Sequence, residues 1–139
     1  MQIEVLLIVI GSSIFLILGS IHLFYTFFTG KFTPRNSVAE QEMKNTSPVL
    51  TRQTTVWNAW VGFNASHSLG AIFLGLVNIL LITQYFSVAH DSLMLQIINL
   101  STILFYLFLA KRYWFKTPLI GIIISSICFM ITTILFHLR

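Results

Sequence analysis

His22 and His67 each sit inside a long apolar stretch of this chain, among residues that could form a site. A neutral imidazole carries one donor and one acceptor, so it can hold a polar head group, and it can also ligate a metal. His67 lies in the run Thr51 to Gly70, where Trp57, Trp60, Asn64 and Ser68 are close by in sequence. At about 100° per residue on a helix, Trp57, Trp60, Asn64, His67, Ser68, Ala71, Gly75 and Asn78 share one side. His22 shares a face with Gly11, Phe15, Gly19, Thr26 and Thr29, and Tyr25 lies at its edge. Polar side chains in hydrocarbon are costly and tend to mark sites. They also serve as hydrogen-bonding glue between helices, and that plainer reading stands beside the first.

These residues are positioned by membrane helices. The chain has 139 residues, 56% apolar and 9% charged. Soluble domains carry about 25% charged residues, so the composition is that of an integral membrane protein. The expected fold is all-α, a four-helix membrane bundle forming one transmembrane domain over residues 1–139. Spans are expected at about residues 5–29, 55–83, 92–110 and 118–137. The loop 30–54 holds a short surface helix over residues 38–44, opened by a Ser37/Glu40 capping box. Thr117 and Pro118 read as the cap and first residue of the last helix. Gly62, Ser66 and Gly70 lie opposite the polar stripe at i, i+4, i+8. Such small residues admit a second helix closely, either within the bundle or from a second copy or partner subunit.

Loop charge sets the expected orientation. Lys31, Arg35, Lys44, Arg52, Lys111, Arg112 and Lys116 fall on one side and only Arg139 on the other. The positive-inside rule then puts both basic loops in the cytoplasm and both termini outside, in the plasma (inner) membrane. The net charge of +4 is thus a topology signal and does not point to nucleic acid. At about 1.5 Å per residue, His22 lies roughly 10 Å from the cytoplasmic end of its span, and Asn64 and His67 roughly 15–18 Å. Tyr106 and Ser125 fall in the same half. The candidate ligand-binding set is therefore His22, Tyr25, Trp57, Trp60, Asn64, His67, Tyr106 and Ser125. Asn78, Gln96 and Asn99 would close the far end. His90 and His137 lie at span ends and are not counted as ligands.

Several chemistries are set aside. No Asp or Glu lies within the expected spans, which removes carboxylate-driven proton antiport, di-iron oxygenation and acid-dependent sterol isomerisation. A lone cysteine, Cys128, removes thiol–disulfide exchange within the chain. No reaction is legible. A polar-ended, aromatic-lined cavity suits an amphipathic lipid, quinone or sterol-like molecule. The alternatives are a structural subunit of a larger membrane complex and a redox protein with haem b held by His22 and His67.

The pattern Gly19-Ser-Ile-His22, then Pro34-Arg35, then Thr51-Arg52-Gln53-Thr54-Thr55-Val-Trp57-Asn-Ala-Trp60-Val-Gly62-Phe-Asn64-Ala-Ser66-His67-Ser68 resembles a group of small bacterial four-span membrane proteins that carry no assigned activity. The hydropathy also looks broadly like that of the DoxX-type four-helix membrane proteins. The first resemblance implies the four-span fold and this choice of residues, and implies no reaction.

Overall fold

In the computed structural model, residues 2–138 are described; Arg139, counted above as the one basic residue on the outer side, lies outside them. The elements are α1 (Gln2–Phe28), α2 (Ser37–Asn45), α3 (Val56–Gln84), α4 (Phe86–Asp91), α5 (Leu93–Tyr113) and α6 (Lys116–Leu138). The fold is all-α, and α1, α3, α5 and α6 are long and apolar enough to cross a membrane. Their surfaces fit a lipid solvent. Ile17, Phe24, Phe63, Phe73, Phe105 and Ile124 are exposed, while Ser12, Ser68, Ser125, Ser126 and Thr132 are buried. Most of those buried hydroxyls are satisfied within their own helix, as in Ser68 to the Asn64 carbonyl (2.8 Å) and Thr132 to the Cys128 carbonyl (2.9 Å). The chain is a multi-pass membrane protein.

Two compact units divide the chain, one of residues 1–18 with 71–139, the other of residues 19–70. The first unit is a bundle of the start of α1, the second half of α3, and α5 and α6, with α4 as a short connector. Ile8, Phe15, Ile103, Ile122 and Phe129 form its core. Ser125 donates to the Gly11 carbonyl at 2.8 Å, tying α6 to α1. Gly75 is a required glycine: a Cβ there would stand 2.6 Å from the Ser12 carbonyl oxygen and 2.9 Å from the Leu16 nitrogen. Asn78 and Asn99 exchange amide hydrogen bonds of 3.1 and 2.8 Å between α3 and α5.

The second unit holds the end of α1, the loop with α2, and the first half of α3. Thr55 caps α3, its hydroxyl accepting from the Asn58 N–H at 3.2 Å. The Val56 N–H donates to the Thr46 carbonyl at 2.8 Å and so fixes the end of α2 to the start of α3.

Four expectations are corrected. The cap of α2 is Asn36, whose side chain accepts from the Val38 N–H at 2.9 Å, in place of the Ser37/Glu40 box. Glu40 instead pairs with Lys44 at 2.6 Å along the helix. The last helix begins at Lys116, so Pro118 falls at its third residue, where a missing N–H still costs nothing. Glu4, expected outside the first span, lies in the first turn of α1 and is 2% exposed, so an acid does sit at the end of a spanning helix. Finally, Gly62 and Ser66 are exposed and a Cβ at Gly62 meets nothing within 4 Å. The close helix approach within the chain is made at Gly75 instead. Helical periodicity shows which residues share a face, but it does not show which face another helix covers.

Candidate functional site

The second unit brings His22, Asn64 and His67 together. Asn64 is buried, and its amide is oriented by its own helix: Nδ2 donates to the Trp60 carbonyl at 2.8 Å. That leaves Oδ1 to face His22, whose Nε2 lies 2.9 Å away. An amide oxygen only accepts, so the network assigns the proton of His22 to Nε2. The His67 ring meets the His22 ring edge to face, with centroids 5.8 Å apart and planes at 71°. Phe63 stacks on the other imidazole at 6.2 Å and 11°.

An aromatic wall covers this polar group. The Phe32 ring lies 4.3 Å from that of His22, and Trp60 Nε1 donates to the Phe32 carbonyl at 3.3 Å. The turn that delivers Phe32 closes on itself, since both the N–H and the hydroxyl of Thr33 donate to the Gly30 carbonyl, at 3.2 and 2.8 Å. Tyr25 stands at the margin, 6.4 Å from Phe32, with Lys31 Nζ 5.9 Å from its ring. Lys44 Nζ lies 5.2 Å from the Trp57 ring, which links α2 to the same wall. A hollow of about 30 Å³ remains between Thr26, Thr29, Phe32, Trp57, Trp60 and Asn64. Each water needs about 10–15 Å³ by this measure, so the hollow takes about two. Pockets for drug-sized ligands run to about 300–1,000 Å³, so the hollow with Phe32 in place is far smaller than such a pocket.

Six of the eight expected residues, His22, Tyr25, Trp57, Trp60, Asn64 and His67, therefore lie in one unit around one polar group. Tyr106 and Ser125 belong to the other unit. Tyr106 packs edge-on against Phe15 at 5.2 Å and against Trp114 at 6.1 Å, and Ser125 is fully buried on the Gly11 carbonyl. Phe32 escaped the sequence reading because it stands alone in a polar loop, outside any helical period. Thr26 and Thr29, which share the face of α1 that carries His22, also line the hollow.

No family model, curated protein or solved structure matches this chain. The chemistry must therefore be argued from the geometry. Among the described residues, no group of three or more His, Cys, Asp or Glu could hold a metal ion. The residues also do not fit a haem held between His22 and His67. The Nε2–H of His22 is spent on Asn64, Phe32 covers its ring, and the His22 and His67 rings meet edge to face at 5.8 Å with no room for a macrocycle between them. What the arrangement offers is two imidazoles and an amide, walled by aromatic rings. That set can hold a hydroxyl or carbonyl by hydrogen bonds and an apolar body by packing.

Proposed function

We propose that the chain binds a small amphipathic molecule with a neutral hydroxyl- or carbonyl-bearing head. His22, Asn64 and His67 receive the head, and Trp57 and Trp60 receive the apolar body. The observation that carries this reading is the half-buried His22–Asn64 hydrogen bond beside His67, within one aromatic wall. A neutral head is favoured because the nearby cations are engaged elsewhere: Lys44 with Glu40 and Trp57, Lys31 with Tyr25. Phe32 occupies the place of the head, and binding requires the turn at residues 30–33 to swing outward. The basic loops face the cytoplasm, so the site opens toward the inner leaflet of the plasma membrane. The charge asymmetry of the loops supports that orientation.

The test is to extract the protein with its surrounding lipid in polymer nanodiscs and to identify bound small molecules by mass spectrometry. A defined neutral amphiphile should accompany the wild type in near-stoichiometric amount and be lost from Asn64→Leu. The same lipid profile for both proteins would sink the proposal.

A second reading, a subunit that docks a partner helix, is favoured by the exposure of Gly62 and Ser66. A Gly62→Leu variant that folds but loses a co-purifying subunit would support it.

A further inference from the structure

The first unit contains a second hollow, of about 30 Å³, lined by Ile8 of α1 and by residues of α3 to α6. Asn78, Gln96, Asn99, Ala89, Leu95 and Thr132 are among the residues that line it. Gln96 is 7% exposed, and its amide is oriented without ambiguity. Nε2 donates to the His90 carbonyl at 2.6 Å and reaches the Ala89 carbonyl at 3.5 Å. Turning the amide over would set its oxygen against those two carbonyl oxygens. Oε1 is therefore the acceptor left over, buried and without a hydrogen-bond partner among the described residues. Leaving such a group unserved is costly.

The same hollow also offers a donor. Asn78 spends both N–H groups of its amide, on the Leu74 carbonyl and on Asn99 Oδ1. Asn99 spends one, on Asn78 Oδ1, which leaves its second N–H available. One available acceptor and one available donor select a ligand that both donates and accepts. A bare cation would be repelled by the amide N–H, and an anion by Gln96 Oε1. The volume admits about two water molecules and nothing much larger.

We propose that this hollow is a built internal water site. A bound water donates to Gln96 Oε1 and accepts from Asn99, hydrating the bundle next to the Asn78–Asn99 pair. The inference is independent of the amphiphile site.

The test is water-edited solid-state NMR of the full chain in lipid bilayers, with the methyl groups of Ile103, fully buried and outside the lining of the hollow, as the internal reference. Polarisation from water should reach the side-chain amides of Gln96 and Asn99 several-fold faster than those methyls. Ala89→Leu, which fills the hollow, should abolish that difference. It should also lower the Tm, because it displaces the partner of Gln96. Amides that build up no faster than Ile103 in the wild type mean a dry hollow and overturn the proposal. That wild-type comparison decides the matter even where the variant fails to fold. A filled variant that melts higher than the wild type, with no water transfer lost, would overturn it too.

Discussion

Asn64 fixes the hydrogen-bonding pattern of the residues around it. Its amide is pinned by the Trp60 carbonyl, and this in turn fixes the proton on His22 Nε2. Asn64→Leu should therefore strand the half-buried Nε2–H of His22 and cost about 1 kcal/mol of stability. The expected readout is thermal unfolding in detergent. In a double-mutant cycle, His22→Ala and Asn64→Ala should couple by about 0.5–3 kcal/mol, because the two side chains are bonded to each other. Strict additivity would mean that the 2.9 Å contact carries no energy. Nitrogen NMR of His22 should show the Nε2–H tautomer. The other residue to change is Phe32. Phe32→Ala removes the ring over His22, so a neutral amphiphile should bind more tightly to this variant than to the wild type. Weaker binding would show that Phe32 is part of the receptor wall and not a plug. His22, Asn64 and His67 were legible because each is polar in an apolar run and falls on one helical face. Phe32 was not, since a loop turn closed by Thr33 on Gly30 has no period to read.

The helices divide their glycines between packing and exposure. At Gly75 a Cβ would collide with the backbone of α1, so Gly75→Ala should cost about 1–3 kcal/mol, the range for overpacking. Gly62 faces open space, so Gly62→Ala should leave the Tm of the isolated chain unchanged or slightly raised, as Ala favours helix over Gly. Comparing the two melting curves in one detergent checks both statements, and an equal loss in both variants would contradict them. Between α3 and α5, the reciprocal Asn78–Asn99 bonds should behave as a unit. Replacing one by Leu leaves the other amide stranded, whereas replacing both should cost less than the two single losses summed. Sequence periodicity located these faces well. It could not assign Asn36 over Ser37 as the cap of α2, because adjacent cap-forming residues compete and only the backbone geometry decides.

The four spanning helices were the most legible feature, since about 20 apolar residues in a row have few other uses. The division into residues 19–70 and the remainder was not, because both α1 and α3 contribute to each unit and no break in composition marks the change. The proposed orientation rests on seven basic residues in two loops against Arg139 at the end of the chain. A reporter active only in the cytoplasm should work when inserted within residues 36–48 and fail when fused after Arg139. The reverse pattern would invert the topology and move the mouth of the site to the other leaflet.

The amphiphile site itself is tested most directly by titrating the purified protein in nanodiscs with a decyl-substituted benzoquinone while following tryptophan fluorescence. Trp57 and Trp60 lie in the wall of the hollow, whereas Trp114 packs beside Tyr106 in the other unit. Saturable quenching at one quinone per chain is expected, with the response removed by Trp57→Phe and Trp60→Phe together. Asn64→Leu should weaken the affinity at least tenfold. Quenching that rises linearly without saturation, and equally in all of these variants, would show partition into the bilayer alone and would contradict the site.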